Sequence, residues 1–234
     1  MNITGLITEY NPFHLGHKYH LENSIKDTNC NGTVAIMSGN FIQRGFPALI
    51  DKYTRAEIAV KNGVDLVIEL PLIYAISSAE GFSTGAIKVL NSLGVVNNIY
   101  FGSEHGSIDD LKLIAETLVR EDDNFKNNLK KALNSGLPFH SARAKALIDS
   151  IPTLHNHSIL ESSNNILGIE YIKSLLRTNS NIKPMTIKRA GANYNDEDVT
   201  TSFPSATSIR KALNDNKSLE DIKSSLPIYT YNKL

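Results

Sequence analysis

Short strand-like segments alternate along the chain with longer segments of helical period, and this alternation limits the fold more than any other feature. The strand-like segments end at turn-forming residues and comprise Ile3–Thr8, Thr33–Met37, Val64–Leu70, Val95–Phe101 and Lys183–Lys188. Most are apolar throughout rather than at alternate positions, which is typical of parallel sheets covered on both faces. The sequence therefore predicts an α/β protein whose parallel sheet carries helices on both faces.

Helical segments connect the predicted strands and follow the last one. They comprise His14 to about Lys26, Lys52–Asn62, Ser77–Leu93, residues 107–150 with breaks near Ser135 and Pro138, Asn164–Arg177, and Ser205–Asn214. We interpret residues 1–234 as one domain with a small helical insertion at about 107–160. Parallel strands present their carboxyl ends at one edge of the sheet, where such folds bind ligands. Polar segments follow four of the strands there: Glu9–His17, Ser38–Arg44, Gly102–His105 and Arg189.

Composition excludes several classes of protein. The 24 Lys and Arg residues equal the 24 Asp and Glu residues, so the chain as a whole is not a polycation that coats nucleic acid. A single cysteine, Cys30, excludes an intrachain disulfide and a cysteine-rich zinc site. No apolar run approaches the roughly 20 residues of a membrane span, and no signal peptide is visible at the N-terminus. We therefore expect a cytoplasmic protein without a membrane partner.

The charges are unevenly distributed despite this balance. Residues 1–125 carry a net charge of −6, whereas residues 126–190 carry +7. The positive charge of the middle segment comes chiefly from Lys126, Lys130, Lys131, Arg143, Lys145, Lys173 and Arg177. A basic segment on a neutral protein indicates either a surface that faces phosphate groups or a solvated helix face, and both interpretations remain open.

The segment Asn11–His17, with the sequence NPFHLGH, carries the strongest chemical signal. It lies where the first strand passes into a helix, and the positive end of a helix dipole favours an anion. Two imidazoles there can donate hydrogen bonds to phosphate oxygens, and Lys18 adds a positive charge. A metal pair or two incidental surface histidines are the alternatives. We predict no metal-binding residues in this segment.

A second polar segment, SATSIR at 205–210, opens the last predicted helix. Its hydroxyl groups, on Ser205, Thr207 and Ser208, can cap that helix or bind phosphate oxygens, and Arg210 can bind such oxygens bidentately. Simple helix capping is the alternative. Neither GxGxxG nor GxxxxGK[ST] occurs, so the sequence does not support a dinucleotide fingerprint or a Walker-type phosphate loop.

Together the two segments resemble the HxGH and S/T-x-x-I-R signatures of the nucleotidyltransferase superfamily that includes class I aminoacyl-tRNA synthetases. A finer resemblance is to the bacterial tRNA(Met) cytidine acetate ligase family. It rests on SGNFIQRGFPA at 38–48, DKYTRA at 51–56, ELP at 69–71, FGSE at 101–104, NNILGIEY at 164–171 and SATSIR at 205–210. The resemblance implies a Rossmann-like fold of the HUP nucleotidyltransferase type. It also implies that a C-terminal region of longer family members is absent from this chain.

The resemblance further implies two-step chemistry with ATP as co-substrate, accompanied by Mg²⁺. Acetate would attack ATP to give acetyl-adenylate and pyrophosphate, and the acetyl group would pass to N4 of the wobble cytidine of elongator tRNA(Met). His14, His17 and Lys18 would be catalytic. The implied ATP site comprises Ile7, Thr8, Glu9, Tyr10, Asn11, Pro12, Phe13, His14, Leu15, Gly16, His17, Lys18, Tyr19, His20, Gly102, Asn164, Arg189, Ser205, Thr207, Ser208 and Arg210. Asn40, Gln43, Arg44, Asp51 and Arg55 would border the acetate or the cytidine, although Asp51 could equally be a helix cap.

Two other functions are compatible with the same residues. One is an adenylyltransferase that acts on a small phosphate ester such as phosphopantetheine or nicotinamide mononucleotide. The other is a non-catalytic protein that binds RNA or adenine nucleotides, although binding alone does not require His14, His17 and Arg210 together. The sequence does not predict an oligomeric state.

Overall fold

The structure is a computed structural model in which residues 1–154, 157–189, 205–215 and 218–234 are described. Its strands are β1 (Ile3–Thr8), β2 (Gly32–Ser38), β3 (Leu66–Leu70), β4 (Asn98–Ser103) and β5 (Lys183–Lys188). The α-helices are α1 (Leu15–Thr28), α2 (Lys52–Lys61), α3 (Leu72–Ala75), α4 (Ala79–Leu93), α5 (Ile108–Arg120), α6 (Asp123–Asn134), α7 (Phe139–Ser150), α8 (Ser163–Arg177), α9 (Ala206–Asn214), α10 (Leu219–Ile222) and α11 (Ile228–Tyr231). Short 3-10 helices cover Gln43–Gly45, His157–Leu160 and Lys223–Ser225.

The five strands form one parallel sheet in the order β3-β2-β1-β4-β5. β1 pairs with β2 along its whole length, from Ile3 to Thr8, but with β4 only at Thr4 and Gly5. Because the β1–β4 pairing stops after Gly5, these two strands separate toward their carboxyl ends. The strand order also reverses between them, and this topological switch point is where open α/β sheets bind ligands.

Side chains alternate between two buried faces along the central strands. Ile3, Ile36 and Ile99 point to one face, where they join the core formed with α4, α5 and α8. Leu6 and Tyr100 point to the other face and pack in a smaller cluster with residues of α1 and α2. The predicted parallel sheet with helices on both faces is therefore confirmed.

Several element boundaries differ from the prediction for identifiable reasons. β3 begins at Leu66 rather than Val64, because the Val64 N–H binds the Ala59 carbonyl at 3.1 Å and continues the turn that ends α2. The predicted helical region 107–150 has an additional break after α5. Glu121 there adopts the left-handed conformation with φ of 45°, and Asp122 caps α6 by accepting the Phe125 N–H. The structure also adds α3, α10 and α11, which the sequence pattern did not predict.

Candidate active site

A cleft of about 420 Å³ opens at the carboxyl edge of the sheet, beside the switch point. The first turns of α1, α4, α8 and α9 all contribute residues to its lining, together with the ends of β1, β4 and β5. Each helix start carries N–H groups without intrahelical partners and the positive end of the helix dipole. The convergence of four such ends makes the cleft suited to a polyanionic ligand.

The start of α1 holds its two histidines in a reciprocal cap. The Gly16 N–H donates to Nδ1 of His14 at 3.0 Å, and the His14 N–H donates to Nδ1 of His17 at 3.3 Å. The two ring centroids lie 3.8 Å apart. Because Nδ1 of the neutral His14 ring accepts a hydrogen bond, its proton must lie on Nε2. The cap thus gives His14 a donor at the far edge of the ring.

Burial keeps the cleft imidazoles uncharged. It lowers the pKa of His14 to about 3, and the charges of Arg189 and Arg210 act in the same direction. Burial also lowers the pKa of His17 well below its usual value, and the nearby His14 and Arg189 lower it further. The pKa of His20 falls to about 4, again mainly through burial. At neutral pH these rings are therefore hydrogen-bonding groups rather than cations.

The start of α9 is fastened to the β1–α1 turn. Ser205 caps the helix by accepting the Ser208 N–H at 3.0 Å, which matches the capping alternative for these hydroxyl groups. The Arg210 guanidinium donates to the Asn11 carbonyl at 2.7 Å and to Oγ1 of Thr207 at 3.2 Å. The two signature segments, which are far apart in sequence, therefore meet at one end of the cleft.

Glycine at position 102 makes room at the end of β4. A Cβ atom there would lie 3.1 Å from the Arg189 side chain, which is a tight contact. Arg189 itself follows β5 directly and is largely exposed. Glycine therefore allows the arginine side chain to cross the strand end at the mouth of the cleft.

The segment between β2 and α2 is anchored to the end of β1. The Gln43 N–H donates to the Glu9 carboxylate at 2.9 Å, and the Leu49 N–H donates to Oδ1 of Asn11 at 2.7 Å. Asn40 ties the same segment to α2 by accepting the Lys52 N–H at 2.9 Å. Gln43 consequently lines the cleft, whereas Asn40 supports the segment from outside.

Asp51 and Arg55 support the backbone around the cleft rather than lining it. Asp51 caps α2 by accepting the N–H groups of Tyr53 and Thr54, which confirms the helix-cap interpretation. The buried guanidinium of Arg55 donates to the carbonyl groups of Glu9, Ser38, Gly39 and Ile50. Neither residue lines the cleft. The side chain of Arg44 lies outside the described part of the structure.

The cleft brings most of the predicted ATP-site residues together. Those that line it, with Gln43 from the second set, are Ile7, Thr8, Glu9, Tyr10, Asn11, His14, Gly16, His17, Tyr19, His20, Gly102, Asn164, Arg189, Ser205, Thr207 and Arg210. Those outside the lining are Pro12, Phe13, Leu15, Lys18 and Ser208. Phe13 is fully buried and packs against the His17 ring, with the ring centroids 5.7 Å apart. The Lys18 ammonium lies 4.0 Å from the Glu22 carboxylate on the outer side of α1.

Eleven residues that line the cleft were not predicted from the sequence. The missed lining residues are Ser77, Ser78, Ala79, Phe82, Phe101, Ser163, Ile166, Leu167, Tyr171, Ile187 and Ala206. The serines Ser77, Ser78 and Ser163 lie at helix starts that do not directly follow a strand, so a search for polar segments after strands does not find them. The apolar members carry no local signal, because the packing of α4, α8 and α9 beside the ends of β4 and β5 brings them to the cleft.

The basic middle segment does not form one surface. Lys173 is buried, and its ammonium lies 2.8 Å from the Glu170 carboxylate and 3.8 Å from that of Glu80. Arg177 also pairs with Glu80. Lys173 is therefore not available to a phosphate group, whereas Arg177 stays half-exposed within its ion pair. Lys126, Lys130 and Lys131 remain exposed on α6.

The described residues offer little to a metal ion. No group of three or more His, Cys, Asp or Glu side chains in ranges 1–154, 157–189, 205–215 and 218–234 could hold one. Glu9 is the one acidic side chain among the described residues that line the cleft.

None of the helices described has the length and apolar character that crossing a membrane requires.

Comparison with known proteins defines the class to which this fold and site belong. A family model described as HIGH Nucleotidyl Transferase matches residues 1–234. The chain belongs to this family.

Individual relatives within the family match this chain over its whole length. The chain is 54% identical to a tRNA(Met) cytidine acetate ligase of Clostridium novyi, over 100% of this chain and 59% of the relative. It is 52% identical to a protein of the same name from Clostridium perfringens, over 100% of this chain and 60% of the relative. The chain thus spans about three fifths of the length of these relatives.

Solved structures agree with the fold. The apo crystal structure of Thermotoga maritima TmcAL matches with a TM-score of 0.93 and 42% identity, over 99% of this chain and 56% of that chain. A second structure of TmcAL, bound with alpha-thio ATP, matches with a TM-score of 0.90 and 42% identity, over 99% of this chain and 55% of that chain. The Rossmann-like nucleotidyltransferase fold expected from the signatures is therefore confirmed.

Proposed function

We propose that this chain is an ATP-dependent acetate ligase that forms acetyl-adenylate and transfers the acetyl group to N4 of the wobble cytidine of elongator tRNA(Met). The observation that carries the proposal is the meeting of two signature segments at one cleft. His14 and His17 cap α1 there, and Arg210 reaches the same turn from α9. The names of the relatives and the nucleotide analogue in TmcAL support this assignment.

The first step needs charge stabilisation rather than a protein nucleophile. An acetate oxygen attacks the α-phosphorus of ATP, the bond to the bridging oxygen breaks, and pyrophosphate leaves. Neutral imidazoles can donate hydrogen bonds to the phosphate oxygens as negative charge moves onto the leaving group. Arg210, Arg189 and the positive ends of the helix dipoles supply the remaining positive potential. Acetate is already an anion at neutral pH, so this step needs no general base.

The second step needs space beside the activated acetyl group. The exocyclic amine of cytidine attacks the acetyl carbonyl carbon, AMP leaves, and the amine loses one proton. The anchored segment with Asn40 and Gln43 lies next to the end of β1, on the side of the cleft opposite β5. We assign the acetate and cytidine to this side, and the phosphates to the side of His14 and Arg210.

Mg²⁺ belongs to the proposal as a companion of ATP. The described residues contain no acidic cluster for it, so phosphate oxygens would supply most of its ligands, and Glu9 is the one carboxylate among the described residues that line the cleft. When bound, the ion would neutralise part of the phosphate charge.

The domain arrangement is also a proposal: residues 1–234 form one catalytic domain, with α5, α6 and α7 as its helical insertion. We place the enzyme in the cytoplasm, where ATP and tRNA are both present.

Acetate-dependent exchange of radiolabelled pyrophosphate into ATP tests the first step. We expect exchange with acetate but not with phosphopantetheine or nicotinamide mononucleotide. His17→Ala should lower the exchange rate by about 10²–10³-fold, because it removes one preorganised donor. His140→Ala, on the exposed start of α7, is the matched control. Exchange that requires a phosphate ester instead of acetate would favour the adenylyltransferase alternative, and a wild-type rate in His17→Ala would exclude the phosphate contact.

A further inference from the structure

The Glu104 carboxylate, directly after β4, accepts three hydrogen bonds from the start of α8. The donors are the Asn164 N–H at 3.3 Å, the Asn164 side-chain Nδ2 at 2.6 Å and the Asn165 N–H at 3.0 Å. The residue at the N-cap position, Ser162, makes no side-chain capping bond. Glu104 therefore satisfies the exposed N–H groups that a helix cap would otherwise satisfy.

Neighbouring hydrogen bonds hold this carboxylate in place. Oδ1 of the buried Asn165 accepts from the Ser103 hydroxyl at 2.8 Å and from the His105 N–H at 3.2 Å. The Ser103 hydroxyl in turn accepts the Gly106 N–H at 2.8 Å. The residues on both sides of Glu104 are thus fastened to α8, which keeps Glu104 beside the start of this helix.

The acceptor character of Glu104 determines which way the Asn164 amide faces. An ionised carboxylate has no proton to donate, so only the Nδ2 side of the amide can turn toward it. Oδ1 of Asn164 is then the atom left for the cleft, which Asn164 lines. Within the described part of the chain, that oxygen has no hydrogen-bond partner.

We propose that Glu104 is a positioning residue that makes Asn164 a hydrogen-bond acceptor in the cleft, selective for a nucleotide that presents a donor there. This inference rests on the proposed use of ATP. The donor is either the 6-amino group of adenine or a ribose hydroxyl, and both share the same chemistry toward Oδ1.

Neighbouring residues show which face of α8 carries Asn164. Asn164 and Gly168 are four residues apart and share one face of α8. A Cβ atom at position 168 would lie 2.5 Å from the Phe101 ring, so this face packs closely against the end of β4. Gly102 follows at that strand end and also lines the cleft. Asn164 is therefore on the helix face that meets the open strand end.

Nucleotide selectivity tests the proposal in the absence of acetate, so that no chemistry occurs. We would measure the Kd of ATP, ITP, 2′-deoxyATP and 3′-deoxyATP by isothermal titration. The unsubstituted chain should bind ATP on the order of tenfold more tightly than the analogue that lacks the recognised donor. Weaker binding of ITP alone would identify the adenine amine, and weaker binding of one deoxynucleotide alone would identify a ribose hydroxyl.

Glu104→Gln should remove this selectivity. A glutamine keeps the shorter backbone bond, from the Asn165 N–H at 3.0 Å, when its NH₂ group takes the position of Oε1. The Asn164 amide then turns Oδ1 toward that NH₂ group. ATP and the discriminated analogue should then bind with about equal affinity. Asn164→Ala should show the same loss without disturbing the Glu104–Asn165 bond. Asp109→Asn, an exposed acid in the first turn of α5, is the charge control and should keep the parent selectivity.

Three results would overturn the inference. They are equal affinity of the unsubstituted chain for all four nucleotides, an unchanged selectivity in Glu104→Gln, or the same proportional loss for every nucleotide in both variants. The last result would show that Glu104 only stabilises α8. None of these results depends on acetate, so a chain that binds ATP selectively but shows no acetate-dependent exchange would refute the proposed function and leave this inference standing.

Discussion

Replacement of His20 by phenylalanine is expected to make the protein markedly more stable at pH 5, with a smaller effect at pH 7. Nε2 of His20 is buried and has no hydrogen-bond partner within the described part of the chain. Its ring packs 5.3 Å from that of Tyr100, centroid to centroid. Phenylalanine has a similar flat shape and no titratable atom. The substitution therefore removes a proton-binding group without removing a hydrogen bond from that nitrogen.

The magnitude follows from the lowered pKa. Folding lowers the pKa of His20 from 6.5 to about 4. Between these values the unfolded chain binds a proton that the folded chain does not, so stability falls as the pH decreases. Each pH unit in this window costs about 1.4 kcal/mol for one such histidine. From pH 6.5 to pH 5 the loss is about 2 kcal/mol, and the His20→Phe variant avoids this loss.

His14 and His17 also have lowered pKa values, so they add losses of the same sign. The unsubstituted chain should therefore lose several kcal/mol between pH 7 and pH 5, a large part of the roughly 5–15 kcal/mol typical of a folded domain. Hydrogen-bonded carboxylates lose their contribution mainly below about pH 5, so this interval reports mostly on histidines.

Urea unfolding followed by circular dichroism at pH 7, 6 and 5 measures these differences. The stability advantage of His20→Phe over the parent should grow by about 2 kcal/mol between pH 7 and pH 5. His140→Asn, which removes an exposed imidazole outside the cleft, controls for the loss of any histidine. A constant difference between the parent and His20→Phe across this range would refute the reasoning, because it would mean that His20 binds its proton equally in both states.

Two further predictions concern the ligands. Arg210→Ala should weaken ATP binding roughly 10–150-fold in isothermal titration, because it removes charge-assisted hydrogen bonds of about 1.5–3 kcal/mol; unchanged affinity would mean that the phosphates lie elsewhere. Reversing Lys126 and Lys130 to Glu should weaken tRNA binding. It should also reduce the slope of log affinity against log salt concentration by about 0.7–0.9 for each phosphate contact that is lost. Acetate-dependent pyrophosphate exchange should not change, and Lys61→Glu on α2 is the control. Equal tRNA affinity in the Lys126/Lys130 variant would show that α6 is a solvated face.

The parts of the structure that the sequence predicts are those set by local pattern. β1 and β5 have the predicted bounds because turn-forming or polar residues end each segment. The strand-to-helix passage at Asn11–His17 was recognisable for the same reason, since the cap between His14 and His17 forms within four residues of chain. Such features need no knowledge of distant contacts.

The parts that the sequence did not predict depend on contacts between distant segments. Lys173 carries a charge, yet it is buried because Glu170 and the distant Glu80 both pair with it. Phe82 and Tyr171 have the apolar character of core residues, but they line the cleft because the sheet opens beside them. Neither outcome can be read from hydropathy or spacing, because each depends on how α4 and α8 pack together.

Arg55 shows how a residue outside the cleft can determine its shape. Its guanidinium is almost fully buried, and it binds the carbonyl groups of residues at the ends of β1 and β2. The same β1 end carries the Glu9 side chain, whose carboxylate accepts the Gln43 N–H. A fixed planar fork of donors suits several carbonyl acceptors in a way that a lysine ammonium does not. Arg55 and Glu104 therefore play similar parts in the scaffold. Arg55 binds backbone carbonyl groups at two strand ends, and Glu104 binds backbone N–H groups at the start of α8. Each thereby fixes a residue that lines the cleft, Glu9 in the first case and Asn164 in the second.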